Sequence, residues 1–238
     1  MREPRGGLFP PANPLDNGPF IEGRSWEARI RNSWIFLNAL GLAVASTSAA
    51  AAFFLIPWRS NYSPFLISYT LAGLALAISQ SASMQTAAFK TRWFLATLVS
   101  AAFGLIMASA ILSVPLMWLI LTTARGPLPP VASALAVAAF GAAGGLVTGI
   151  SLGCGQFLAP GPRYAWTRPW VIPCAVAFGL AGSTFALLYV GSLLLLPPTV
   201  AESVAVLVPV PFAAFASGAV AGAITRKRLV FTGRTIAL

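Results

Sequence analysis

The chain contains no histidine and only five acidic residues among 238. Without histidine there is no imidazole to ligate haem, to act as a general base or to complete an ordinary Cys/His zinc site. Four of the acids, Glu3, Asp16, Glu22 and Glu27, precede the first long apolar stretch, and Glu202 is the fifth. Metal-dependent lipid synthesis needs clustered carboxylates, and the sequence offers no cluster. We therefore expect that the protein is not an enzyme and that it binds no metal and no histidine-ligated haem or chlorophyll. Contact with lipid or pigment is the one interaction of this kind that the composition allows.

Charge of either sign is scarce, and apolar residues take its place. Only 8% of the residues are charged, 58% are hydrophobic, and the mean hydropathy is +0.82. A soluble domain has about 25% charged residues. The composition therefore predicts an all-α integral membrane protein. Its two cysteines, Cys154 and Cys174, have no histidine or carboxylate partner for a metal site and are interpreted as small packing residues.

Six apolar stretches are long enough to cross the hydrocarbon, which takes about 20 residues per helix. They are residues 34–55, 64–83, 93–121, 131–154, 170–196 and 203–225. We expect about six transmembrane helices within residues 34–225, with 64–83 the weakest span. The flanking predictions are a Pro/Gly-rich cytoplasmic tail over 1–24, an amphipathic interfacial segment over 25–33 and a basic cytoplasmic tail over 226–238.

The basic residues predict the orientation of these helices. With six spans, thirteen of the fifteen Lys and Arg residues fall on the side that holds both termini, and only Arg59 and Arg125 fall on the other. Cytoplasmic loops carry such an excess, so both termini are predicted to be cytoplasmic. The same charge favours contact with anionic lipid over nucleic acid.

Tryptophans and a few polar residues stand near the span ends. Amphipathic rings prefer the membrane interface, which makes these tryptophans predicted interface anchors. The anchors are Trp34, Trp58, Trp93, Trp118 and Trp170. The candidate contacts to lipid headgroups or partner proteins are Gln85, Lys90, Arg92, Gln156, Arg163 and Arg168.

Small residues recur every four positions in two of the predicted spans. Gly141, Gly145 and Gly149 follow this spacing in the fourth span, and Gly218 and Gly222 follow it in the sixth. Such faces let two helix backbones approach closely, so these glycines are predicted to pack helices.

The chain also contains a repeated unit of helix, Gln, basic residue, Trp and returning helix. One copy carries Gln85, Arg92 and Trp93, and another carries Gln156-Phe157-Leu158, Arg168 and Trp170. A truncated third copy ends the sequence, where residues 218–225 match residues 141–148 at four positions.

This arrangement resembles a group of bacterial, cyanobacterial-type multi-pass membrane proteins over roughly residues 70–225. Their repeat reads G-x-x-x-G, then G-x-x-Q-W-L, then basic residues and Trp. The chain departs from it at Phe157, where Trp is usual, and at Arg226, where Gly is usual. The resemblance implies a fold, a topology and a bacterial inner or photosynthetic membrane, but no activity.

Two functional hypotheses follow. The first is a non-catalytic accessory or structural subunit of a larger membrane complex, which packs through small-residue helix faces and docks by its N-terminal tail. The resemblance suggests a photosynthetic or respiratory complex. The second is the substrate-binding membrane component of a small-molecule, vitamin-like transporter. A cavity lined by Trp and Asn or Gln would favour the second hypothesis, and continuous packing without a cavity would favour the first.

Overall fold

The computed structural model describes residues 18–55, 63–84, 87–123, 130–159, 164–166, 169–195, 209–226 and 231–233. Side chains are described over residues 33–51, 66–84, 89–115, 131–159, 169–191 and 209–226. The helices are α1 (Gly18–Leu55), α2 (Ser63–Ser81), α3 (Ala87–Thr123), α4 (Pro130–Leu158), α5 (Val171–Leu195) and α6 (Pro209–Arg226). Two short strands, β1 (Tyr164–Trp166) and β2 (Phe231–Gly233), complete the described part of the chain.

Four of the helices contain a segment long and apolar enough to cross a membrane. These segments are Ser33–Ala51 in α1, Phe89–Pro115 in α3, Val131–Leu158 in α4 and Val171–Gly191 in α5. The apolar segment of α2, Leu66–Ser81, is shorter. The prediction of a helical integral membrane protein therefore agrees with the structure at the level of four spanning helices.

The six helices pack as a closed ring in chain order. Each helix packs against the next one along the chain, and α6 packs against α1 to close the ring. Neighbours run antiparallel: Gly218 of α6 lies against Asn38 of α1, and Gly222, one turn later, lies against Ile35. The same reversed order relates α4 to α5, where Gly145 lies against Phe178 and Gly153 against Val171.

Alternating directions bring three helix starts and three helix ends to the same end of the ring. Trp34, Trp93 and Trp170 lie at this end, which we call the tryptophan end. Inside it, an apolar layer fills the ring next to the tryptophans. That layer consists of Leu76, Ala101, Leu152, Ala177, Phe178, Ala181 and Ala221.

Two predicted boundaries are corrected by the structure. Helix α1 begins at Gly18, so residues 18–24 are helical and not part of an irregular tail, and α1 runs without a break through the segment 25–33. Pro19 is compatible with this start, because proline lacks only an N–H that the first helical turn leaves unused. Residues 1–17 lie outside the described part of the chain.

The two strands form a small antiparallel ribbon that the sequence did not predict. Tyr164 pairs with Gly233, Ala165 with Thr232 and Trp166 with Phe231. Residues 231–233 therefore pair with the α4–α5 connection and are not simply a basic tail.

Candidate functional site: a buried polar and aromatic cluster

Three tryptophans from three different parts of the chain meet at the tryptophan end. Trp34 lies in α1, Trp93 in α3, and Trp170 directly before α5. The ring centroids of the three pairs lie 6.1, 6.4 and 6.2 Å apart, with interplanar angles of 78°, 63° and 62°. These are edge-to-face contacts, which the quadrupole of aromatic rings favours. All three side chains are at most 1% exposed, and we call them the tryptophan triad.

A chain of hydrogen bonds runs beside the triad. The Trp34 indole Nε1 donates to Thr225 Oγ1 at 2.8 Å, and Asn38 Nδ2 donates to the Trp34 carbonyl oxygen at 2.9 Å. Gln80 Nε2 in turn donates to Asn38 Oδ1 at 2.8 Å. Helices α6, α1 and α2 are thereby joined through side chains.

Gln156 of α4 is the junction of the network. Its Nε2 donates to Gln80 Oε1 at 2.7 Å and to Thr97 Oγ1 at 3.1 Å, which uses both amide hydrogens. Its Oε1 accepts the indole N–H of Trp170 at 3.2 Å. One buried amide therefore connects α4 to α2, to α3 and to the start of α5. With Thr225, Trp34, Asn38, Gln80, Thr97, Trp93 and Trp170, it forms what we call the polar–aromatic cluster.

The cluster is closed by apolar neighbours. Met84, Phe89, Ala159 and Cys174 are buried around the triad, and the Phe89 ring meets the Trp93 ring edge-on at 5.8 Å. In hydrocarbon a polar group has no water to bond, so each unsatisfied group costs several kcal/mol. The bonds among the amides, the hydroxyls and the Trp34 and Trp170 indoles of the cluster lower this cost and fix the relative positions of the helices.

The structure corrects the role predicted for three tryptophans. Trp93 and Trp170 stand near the starts of α3 and α5, and Trp34 lies within α1, but all three rings point into the protein and contact each other instead of lipid. Buried rings cannot anchor the chain in the headgroup layer, so the interface-anchor prediction is wrong for these three. Trp58 and the side chain of Trp118 lie outside the described residues.

The candidate headgroup contacts divide in a similar way. Gln156 is 2% exposed and bonded inside the cluster, so the prediction of a headgroup contact is wrong for it. Lys90 and Arg92 are exposed near the start of α3, which leaves them accessible at the tryptophan end. Gln85, Arg163 and Arg168 lie outside the described residues.

The five predicted packing glycines all lie at helix–helix contacts. A Cβ atom on Gly141 or Gly145 would overlap the carbonyl oxygens of Gly182 or Phe178 in α5. A Cβ on Gly149 would lie 2.6 Å from the Cys174 carbonyl oxygen, and on Gly222 it would lie 2.8 Å from Ile35 Cα. A Cβ on Gly218 would lie 2.5 Å from the Asn38 carbonyl oxygen. Each glycine thus removes a side chain where two backbones meet.

The polar groups of the cluster are poor metal ligands and poor catalytic groups. Its polar atoms are amides, hydroxyls and indoles, which titrate far from neutral pH and supply no nucleophile–base pair. Within the described residues, no group of three or more His, Cys, Asp or Glu side chains is positioned to hold a metal ion. What the arrangement does is join helices.

An apolar groove of about 420 Å³ lies elsewhere, between α1 and α2. Leu40, Val44 and Ile78 line it and are themselves exposed on the outer wall. The groove also contains Gly41 opposite Ser79, two small residues that open the space. Its chemistry suits an aliphatic chain and not a polar solute.

Sequence reasoning missed three members of the polar–aromatic cluster: Asn38, Thr97 and Thr225. Each lies four residues after a triad tryptophan or at the end of a helix that faces one. Polar residues at regular spacing from Trp inside an apolar span were the available signal, since such residues in a membrane are costly unless bonded. No family model, no curated protein and no solved structure matches this chain.

Proposed function

We propose that the chain is a non-catalytic accessory or structural subunit of a larger membrane protein complex. The observation that carries the proposal is the polar–aromatic cluster, in which Gln80, Gln156 and Asn38 bond to one another and to the tryptophan triad. In that cluster the buried polar groups are used to hold helices together. Contact with partners is then left to the outer surface.

Two outer features suit such contacts. The wall of the ring exposes apolar side chains such as Val99, Phe103 and Phe212, which fit lipid or the helices of other subunits. The tryptophan end exposes Lys90 and Arg92, which fit anionic lipid or an acidic partner surface. The resemblance to cyanobacterial-type proteins extends the proposal to a photosynthetic or respiratory assembly.

The proposal includes six membrane crossings with both termini in the cytoplasm. The alternating helices put the start of α1 and the end of α6 at the same end of the ring, and the exposed cations Lys90 and Arg92 share that end. The positive-inside rule then assigns the tryptophan end to the cytoplasm. The membrane would be the bacterial inner or photosynthetic membrane.

The transporter hypothesis would require Trp, Asn and Gln to line a cavity. In the cluster these side chains contact and bond to each other, and the groove between α1 and α2 is lined almost entirely by apolar groups. Neither feature favours a polar, vitamin-like ligand.

The experiment is gentle detergent extraction of the full chain from its native membrane, followed by size separation and mass spectrometry. We expect co-migration with a fixed set of other membrane proteins. A variant that lacks residues 1–17 should lose these partners and still fold, because α1 begins at Gly18. Migration of the 24.8 kDa chain alone, or with an ATP-hydrolysing module and a bound small molecule, would contradict the proposal.

A further inference from the structure

We infer that the membrane domain consists of three copies of one helix hairpin around a pseudo-three-fold axis, and that the third copy is split between the two ends of the chain. The copies are α2–α3, α4–α5 and α6–α1. The sequence repeat shows two copies and a truncated third. Helix α1, at the other end of the chain, supplies the missing half because it packs antiparallel against α6.

Buried residues occur at matching positions in the three copies. The returning helices carry Trp93, Trp170 and Trp34, and four residues after each tryptophan stands a buried Thr97, Cys174 or Asn38. The preceding helices end with buried Gln80, Gln156 or Thr225, and four residues before each stands a buried Leu76, Leu152 or Ala221. The nearly equal distances within the triad place its centre on the axis.

The hydrogen bonds follow a common pattern in two of the three copies. In α4–α5 the Trp170 indole donates to Gln156, and in α6–α1 the Trp34 indole donates to Thr225, in each case the polar residue that ends the preceding helix. The buried Trp93 indole nitrogen of α2–α3 does not bond to Gln80 in this way. At two of the three junctions between copies, the residue four positions after the tryptophan bonds to the terminal polar residue of the next copy: Asn38 accepts from Gln80, and Thr97 accepts from Gln156.

Glycine contacts give the register between the copies. In α4–α5, Gly149 and Gly153 lie against Cys174 and Val171, four residues and one residue after Trp170. In α6–α1, Gly218 and Gly222 lie against Asn38 and Ile35, again four residues and one residue after Trp34. Thr225 is therefore the counterpart of Gln156, and the sequence alignment of Thr225 with Thr148 is wrong by two helical turns. In the first copy the counterpart of Gln156 is the buried Gln80, and not Gln85 as the sequence repeat predicts.

The outer faces match as well. Two, six and ten residues after each tryptophan the side chain is apolar and exposed. These positions are Phe36, Leu40 and Val44 in α1, Leu95, Val99 and Phe103 in α3, and Ile172, Val176 and Leu180 in α5. Three equivalent apolar columns on the wall are what a ring surrounded by lipid needs.

The first test transfers one copy's polar pair into another. The double variant Cys174→Thr/Thr225→Gln gives the junction between the second and third copies the pair that Thr97 and Gln156 form between the first and second copies. The new glutamine would occupy the position that Gln156 has in the second copy. We therefore expect the melting temperature in detergent to stay within about 4 °C of the unaltered chain.

Thr148→Gln is the matched control, because the sequence alignment would make this position equivalent to Thr225. Thr148 is buried, and its Cα would lie 3.0 Å from a Cβ on Gly104, so we expect a fall of roughly 10 °C. If the double variant loses as much stability as Thr148→Gln, the three-copy register is wrong.

The second test joins the split copy covalently. In a circular permutant, residue 238 is connected to Gly18 by a flexible linker and the new termini are placed between residues 85 and 86. We expect it to insert and to melt like a control chain that keeps the native order and carries the same linker inserted between 85 and 86. A control that folds beside a permutant that does not would overturn the inference. If neither folds, the double variant decides alone.

Discussion

At the residue scale, Gln156 shows what a polar group must do inside a membrane. Its amide uses both hydrogens and its carbonyl oxygen in bonds to Gln80, Thr97 and Trp170. A hydrogen bond between transmembrane helices contributes modestly on its own. Substitution of Gln156 has a larger effect, because several buried partners then lose their hydrogen bonds at once.

Replacing Gln156 with leucine should therefore destabilise the chain. Leucine is close in size but leaves Gln80 Oε1, Thr97 Oγ1 and the Trp170 indole N–H without their bonds to Gln156, at a cost of about 2 kcal/mol or more. The measurement is thermal unfolding in detergent against Leu158→Ala, whose side chain is exposed on the same helix. Equal melting temperatures for the two variants would show that the network does not hold the ring.

The same scale shows where sequence reasoning stops. A tryptophan near the end of an apolar stretch is typical of an interface anchor, and the sequence contains no sign that Trp34, Trp93 and Trp170 face each other. Whether a ring points to lipid or to protein depends on which helices are neighbours. That information lies in the contact of α6 with α1, far apart in the chain.

At the element scale, close packing of α4 on α5 depends on glycine. Gly182 of α5 leaves room for the Gly141 carbonyl oxygen, and Gly145 leaves room for that of Phe178. This feature could be predicted, because residues spaced by four positions share one helix face whatever the partner helix is. The partner itself could not be predicted from that spacing.

Two substitutions in α5 separate packing from helix propensity. Gly182→Ala should push α4 and α5 apart and destabilise the chain by about 1–3 kcal/mol, as overpacking does. Gly191→Ala introduces the same methyl group where nothing lies within 4 Å, and it should be neutral or slightly stabilising. Thermal unfolding of both variants in detergent measures the difference. A Gly182→Ala chain as stable as Gly191→Ala would contradict the contact between α4 and α5.

The helix boundaries agree only in part with the apolar stretches predicted from the sequence. Helices α2 to α5 overlap the predicted stretches, since long apolar runs leave few alternatives. Helix α1 begins sixteen residues before its predicted span at residue 34, because a helix does not end where its hydrophobicity ends. The β1–β2 ribbon links segments about 65 residues apart, and no local pattern announces such pairing.

At the scale of the whole molecule, the closed ring determines which helix ends lie on the same side of the membrane. Alternating helices put Lys90 at the tryptophan end and the end of α3, two residues before Arg125 in the sequence, at the opposite end. If α3 crosses the membrane, Lys90 and Arg125 lie on opposite sides of it, and the positive-inside rule assigns Lys90 to the cytoplasmic side.

Labelling with a membrane-impermeant maleimide tests this orientation. In a Cys154→Ser background, Arg125→Cys should react in intact cells, and Lys90→Cys should react only after the membrane is opened. Cys174 is buried and should stay silent in both preparations, which the background chain without a new cysteine controls. Labelling of Lys90→Cys alone in intact cells would show the opposite orientation. Equal labelling of both sites in intact cells would contradict an odd number of crossings between them.

The central claim is that the interior of the ring serves its own stability and that the outer surface and the N-terminal tail serve partners. Its most direct test is the native size of the full chain beside the variant that lacks residues 1–17, both extracted in mild detergent. The account predicts that the full chain elutes within a larger assembly, and that the shortened chain elutes alone with an unchanged melting temperature. Elution of the full chain alone, at the size of a single 24.8 kDa protein in its detergent micelle, would contradict it.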